Sequence, residues 1–167
     1  MCRKAKIADV KNVLILNEEF YIYSLKYEPQ LANNKSNRIA TELELKKRIV
    51  RQQNKKTDKP VFVIEKLGEI IGFVTGCIND TNSSELQNIF VRNNFTKNKA
   101  KGIKGNGKKL AKKFINWSKK CGAILIITEY YALDSRAASF YKSSLKFRTS
   151  KQKSTSMFKT RVELALG

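Results

Sequence analysis

Apolar positions along this chain change their period several times, and each change marks an element. After a short β-prone stretch at residues 3–7, residues 8–27 set Val10, Val13, Leu14, Phe20 and Tyr21 at helical spacing behind Asp9, which can cap them. That spacing predicts a helix of about five turns. Pro29 and the asparagines of residues 28–38 interrupt the period, and residues 39–54 resume it as a second helix with Ile39, Leu43 and Ile49 as core contacts. Residues 61–78 hold two β-rich runs joined around Lys66-Leu67-Gly68-Glu69, a hairpin signal. Residues 85–91 read as a third strand of the same sheet, antiparallel because its connection is short.

From near Asn106 the period lengthens again. Leu110, Ala111, Phe114, Ile115 and Trp117 gather on one side, Lys108, Lys109, Lys112, Lys113, Lys119 and Lys120 occupy the rest, and Gly122 ends the helix. Residues 123–131 form an apolar run of the kind buried on both faces. Residues 134–145 predict a short helix turning Ala137, Ala138, Tyr141 and Leu145 inward, and residues 146–150 and 156–164 a closing strand pair. The order is α+β (mixed α/β), with one strand-helix-strand crossover in its second half, no internal repeat, and a single domain over residues 1–167.

Composition narrows the chemistry. With no histidine, and with Cys2, Cys77 and Cys121 in no C-x-x-C pair, a Cys/His zinc site and both Ser-His-Asp and Cys-His catalysis are excluded. No metal is expected, and proton transfer falls to carboxylates, tyrosine, lysine, cysteine or water. The opening ten residues turn polar at once, and no apolar run approaches the roughly 18 residues of a membrane span. These features predict a cytoplasmic protein without a membrane partner. Against 14 Asp+Glu stand 34 Lys+Arg, a net charge of +20 that attracts polyanions, although abundant lysine, asparagine and isoleucine also follow from an AT-rich genome.

Residues 100–114, AKGIKGNGKKLAKKF, place three glycines and six lysines where a strand hands over to an amphipathic helix. Together with IFVRNNF before it and INWSKKCGAILIITEYYALDSRAASFYKSSLKF after it, this stretch resembles the core of the GNAT superfamily of acetyl-CoA-dependent N-acetyltransferases. The resemblance implies a central, mostly antiparallel sheet of about seven strands flanked by about four helices. It further implies an acyltransferase with acetyl-CoA as co-substrate.

In that family a Q/R-x-x-G-x-G/A loop opens a helix whose free amides hold the coenzyme pyrophosphate. A helix N-terminus suits this role through its unpaired N–H groups and the positive end of its dipole. Gly105, Asn106 and Gly107 match the G-x-G portion, with Lys108 and Lys109 opening the helix. Gly102 stands where the family has glutamine or arginine, and the loop is several residues longer than the compact pattern. The lysine-rich extra segment either contacts coenzyme phosphates or is solvated. AASFYKSSLKF is similar to the family's A-x-x-x-Y-x-x-x-G-F helix, which assigns Tyr141 to protonating the leaving thiolate, while Asp134, with Ser135, stands where asparagine is common and is nominated for the coenzyme.

The implied reaction is direct attack of a primary amine on the thioester in a ternary complex. The family pairs the pantetheine arm with backbone on the third meander strand, nominating Ile89, Phe90 and Val91. Glu85 on that strand is the nominated proton acceptor, with Glu129 and ordered water as rivals. The acceptor is a small-molecule amine or a protein amine, and the oligomeric state is monomer or homodimer. Glu18, Glu19, Tyr21, Tyr23 and Tyr27 suit a cationic amine and equally an ordinary helix surface. A basic nucleic-acid- or ribosome-associated module without catalysis is the alternative, drawn from net charge and the lysine-covered helix rather than from any recognition motif.

Overall fold

A computed structural model describes residues 1–54, 57–79, 82–92 and 105–166. The lysine-rich segment 96–104, Gly102 and the centre of the turn after residue 79 lie outside the described residues. Among the described residues seven strands form one sheet in the order β1-β2-β3-β4-β5-β7-β6. They are β1 (Cys2–Lys4), β2 (Val61–Lys66), β3 (Glu69–Ile78), β4 (Ser83–Val91), β5 (Leu125–Tyr131), β6 (Arg148–Thr149) and β7 (Lys159–Ala165). Among the described residues the α-helices are α1 (Val10–Ser24), α2 (Lys35–Asn54), α3 (Asn106–Lys120) and α4 (Ser135–Ala138), the last continuing as a π-helical turn over Ser139–Ser144. All strand pairs are antiparallel except β4 with β5, the pair that brackets the α3 crossover. This is the mixed α/β architecture expected from the element order.

Local chemistry accounts for the junctions. The β2–β3 turn has both central residues at positive φ, Leu67 at 50° and Gly68 at 78°, which matches the right-handed twist of the strands it joins. At the end of α3, Gly122 takes φ 84° while its N–H bonds Lys119 O at 3.0 Å and the Ala123 N–H bonds Ser118 O at 3.1 Å, a Schellman closure. The two sheet faces carry separate cores. Val13, Leu16, Leu45, Ile49, Val63 and Phe73 pack under α1 and α2, while Phe62, Ile71, Leu86, Leu110, Phe114 and Tyr141 pack under α3 and α4.

Several sequence expectations change. Helix α2 begins at Lys35, inside the polar stretch, and Ile39 and Leu43 are 65% and 51% exposed, so Leu45 and Ile49 are its core contacts. Asp9 precedes α1 but its carboxylate does not cap that helix: it takes Arg3 Nη2 at 3.0 Å and the Lys6 N–H at 2.7 Å. Strand β5 alternates rather than burying both faces, with Ile126, Thr128 and Tyr130 buried and Leu125, Ile127, Glu129 and Tyr131 half-buried. The other face of β5 is only half covered, and that exposure opens the site described next.

Candidate active site

Strand β4 runs beside β5 for four rungs, Ser83–Leu125 to Leu86–Thr128, and then leaves it. The departure coincides with a bulge: Thr75 pairs with Asn88 but the next rung is Gly76 with Leu86, which leaves Gln87 as an extra residue on β4. A bulge bends its strand and shifts the side-chain phase by one position. Before it, Ser84 and Leu86 face α3 and Glu85 faces α2; beyond it, Ile89 and Val91 join the α3-side core and Phe90 meets Phe20 under α1 at 5.8 Å. Ile89, Phe90 and Val91 still pair with Val74, Phe73 and Gly72 of β3, and their other edge has no ladder to β5. Arg92 anchors the strand end, bonding Glu19 at 2.9 Å and also Glu69.

On the α2 side of this gap lies a cleft of about 570 Å³. Its floor is Thr75, Glu85, Leu86, Gln87 and Asn88, its walls are the α2 residues from Asn37 to Arg48, and Glu129, Thr155 and Lys159 close the far side. Arg48 is held in place by Glu44 at 3.1 Å and by the Gln87 side-chain oxygen at 2.8 Å. Glu85 is half-buried and accepts a long contact from the Cys77 thiol at 3.9 Å. Burial, with the neighbouring Glu85 charge, pushes the Cys77 thiol up, so it stays protonated. Glu129 differs: burial pushes its carboxyl up, but the Thr155 N–H at 2.8 Å and the Thr155 hydroxyl more than offset this and hold it below its ordinary value.

Across the gap, on the α3 side, Tyr141 is buried. Its ring stacks on Tyr130 at 5.7 Å and meets Phe140 and Phe147 edge-on at 5.2 and 5.6 Å. Burial pushes its phenol up to about 12, opposed by a hydrogen bond with Thr128 and reinforced by the Asp134 charge. Thr128 belongs to the last β4–β5 rung, and its hydroxyl donates to Leu86 O at 2.7 Å. The phenol therefore sits at the apex of the splay. Helix α3 opens on the same face with Gly105 at φ 86° and Lys109 N–H bonded back to Gly105 O at 2.9 Å, so the N–H groups of Asn106, Gly107 and Lys108 belong to the first turn, where no carbonyl of the helix precedes them. Asn106 is buried and Lys108 and Lys109 are exposed.

Asp134 is placed at the start of α4. One of its carboxylate oxygens accepts the Ala137 N–H at 3.0 Å and the other accepts the Tyr23 hydroxyl. The α1 side chains suited to an amine are engaged away from the cleft: Glu18 with Arg38 at 3.4 Å, Glu19 with Arg92, and the Tyr21 hydroxyl with Leu31 O at 2.7 Å. Sequence reasoning missed Thr128, Gln87, the cleft face of α2 and Thr155. Gln87 alone left a trace, since the side chains after it break the alternation set by Ser84 and Leu86.

Among the described residues, no group of His, Cys, Asp and Glu is placed to hold a metal ion, and no helix is long and apolar enough to cross a membrane. No curated protein matches the chain. Among solved structures, PaiA N-acetyltransferase from Thermoplasma acidophilum in complex with coenzyme A superposes with TM-score 0.79 at 20% identity, covering 99% of this chain and 98% of that one. YncA, a putative acetyltransferase from Salmonella typhimurium with acetyl-CoA, gives 0.71 at 18% identity over 100% and 94%. Ribosomal-protein-alanine N-acetyltransferase from Brucella melitensis gives 0.64 at 16% identity over 99% of both chains. These likenesses establish a shared fold. The family model described as "Acetyltransferase (GNAT) family" matches residues 24–147, and the chain belongs to that family.

Proposed function

We propose that this acetyltransferase moves the acetyl group of acetyl-CoA to a primary amine by direct attack in a ternary complex. The observation that carries the reading is the separation of β4 from β5 after Leu86–Thr128, which opens the sheet between a carboxylate-lined cleft on one face and Tyr141 with the α3 N-terminus on the other. Bound acetyl-CoA would supply the activated acyl group. The donor set fits it: first-turn N–H groups of α3 with Lys108 and Lys109 for the pyrophosphate, and the unpaired edge of Ile89, Phe90 and Val91 for the amide-bearing arm.

Each residue then has a defined task. The β4 edge donates N–H groups where negative charge develops on the carbonyl oxygen. Glu85 takes the proton that the amine must lose, directly or through water. Glu129, already bonded by Thr155, holds the cleft wall and adds negative charge that favours a cationic amine. Tyr141 gives its proton to the departing sulfur, and its burial keeps that proton in place until then. Asp134 orients α4, and so Tyr141, by capping Ala137.

Titration calorimetry with acetyl-CoA tests the reading. Micromolar binding at moderate salt is expected, and its absence would remove the enzyme reading altogether. A panel of amine acceptors followed by free-thiol release then identifies the acceptor.

A further inference from the structure

Arg3 and Arg92 each direct all three guanidinium nitrogens at two carboxylates, Asp9 and Glu65 around Arg3 and Glu19 and Glu69 around Arg92. Their side chains are 19% and 25% exposed. Arg48 is less exposed, at 13%, yet it meets one carboxylate. Its Nε donates to Glu44 at 3.1 Å and its Nη1 to the neutral side-chain oxygen of Gln87 at 2.8 Å, while Nη2 meets no acceptor among the described residues. The Glu44 contact is a single bond within one helix to a carboxylate that is 40% exposed, a weak kind of ion pair. A guanidinium carries five N–H donors, and removing such a cation from water is costly when its partners are few.

Arg48 lines the cleft, and the residue that orients it is the extra one of the β4 bulge. Gln87 stands two positions after Glu85, about 7 Å of strand, so one small molecule can meet the Glu85 carboxylate and the Arg48 guanidinium together. The other cleft carboxylates are engaged. Glu44 is bonded by Arg48, and Glu129 by the Thr155 N–H at 2.8 Å, with Arg161 at 4.0 Å. Glu85 has only the long contact from the Cys77 thiol. Lys159, over the Tyr131 ring at 5.4 Å, adds a second cation to the lining. The cleft therefore presents one open carboxylate beside one open guanidinium edge. A polyamine needs a carboxylate for each further cation, and none is left for it.

We propose that the acceptor is a free amino acid, whose amine sits at Glu85 and whose carboxylate is taken by Arg48, the specificity-determining residue of the cleft. This rests on the acetyl transfer proposed above and leaves its chemistry unchanged. The amine nitrogen bonds the acetyl carbon, the thioester C–S bond breaks, the sulfur leaves as a thiol, and one net proton reaches solvent by way of Glu85. An arginine suits the task because its planar fork can hold both oxygens of a carboxylate, which a lysine cannot do.

Free-thiol release by the full chain, measured as kcat/KM for the primary-amine amino acids and for the C-terminal amide of each, with 1,4-diaminobutane as a purely cationic acceptor, tests this. The best amino acid should exceed its amide by at least about tenfold. Intrinsic reactivity works the other way, since the amine of the amide is the less basic and is more often unprotonated. Arg48→Gln should bring the ratio to within about threefold of unity by raising KM for the acid. Lys46→Gln, two positions from Glu44 and so on the opposite side of α2, should leave the ratio intact. Amides accepted as well as acids, the diamine preferred to every amino acid, or an unchanged ratio in Arg48→Gln would overturn the proposal. Binding of acetyl-CoA without acetylation of any amino acid overturns it too, while acetyl transfer to other amines stands; no binding of acetyl-CoA overturns both. Should Arg48→Gln fail to fold, Arg48→Lys keeps the charge without the fork and should lower the ratio at least about threefold, and an unchanged ratio there overturns the assignment.

Discussion

Replacing Tyr141 by phenylalanine separates chemistry from folding. The ring makes the packing contacts, stacking on Tyr130 at 5.7 Å and meeting Phe140 and Phe147 edge-on, and Tyr141→Phe keeps all of them. Only the hydroxyl beside Thr128 is lost, at a stability cost of about 0.5–1.5 kcal/mol for one buried hydrogen bond. If that hydroxyl protonates the leaving thiolate, its removal should lower kcat by about 10²–10⁴, equivalent to roughly 3–5 kcal/mol of barrier. The kinetic effect thus exceeds the structural one several-fold. Free-thiol release with saturating amine measures the first, urea unfolding the second, and calorimetry should find coenzyme affinity within about twofold of the parent. Because burial pushes the phenol up to about 12, Tyr141 should impose no alkaline fall in rate through pH 9. Turnover within a few-fold of the parent in Tyr141→Phe would refute the proton-donor role, whatever the stability did.

Three further outcomes are expected. Glu85→Gln should reduce kcat/KM by about 10²–10⁴; if Glu129→Gln does so instead, the base is Glu129. Among the described residues nothing lies within 4 Å of a Cβ added at Gly105, but Gly105→Ala forces an L-residue to hold φ 86°. It should cost about 1–2 kcal/mol by urea unfolding and raise the coenzyme Kd, and an unchanged Kd would detach this turn from the coenzyme. The folded-state pKa of Glu129 lies below its ordinary 4.5, so the stability it contributes is present above pH 4.5 and lost as pH falls through the folded value. Thr155→Val removes one donor and should move the acid-unfolding midpoint, followed by circular dichroism, to higher pH by an amount on the order of 1 kcal/mol of stability.

Periodicity made most of the fold legible because the elements that bury a face must space their apolar residues accordingly. Helix α3 and the β2–β3 hairpin follow directly from Leu110, Ala111 and Phe114 and from the Leu67-Gly68 turn. Helix α2 misleads because Ile39 and Leu43 keep helical spacing yet point to solvent, while polar Gln52 is buried and bonds Ala5 O at 2.8 Å and the Val61 N–H at 3.0 Å. The nominated residues Tyr141 and Glu85 reach the same gap from opposite sheet faces, which no local pattern encodes. The cleft wall on α2 and the Thr155 contact to Glu129 depend on tertiary docking of segments distant in sequence.

Two supernumerary residues lie beside the gap. Gln87 interrupts one ladder, and the π-helical turn, closed by the Leu145 N–H to Phe140 O at 3.1 Å, holds one residue more than an α-helical turn beneath Tyr141. Substitutions at either place preserve that count; deletions do not. Shortening β4 by one residue would let it run in phase with its neighbour, and shortening the π turn would swing Tyr141 by about 100° away from Thr128. Both changes make the chain more regular. Under the proposed mechanism, selection for stability alone that accepted single-codon deletions here would lose acetyl transfer.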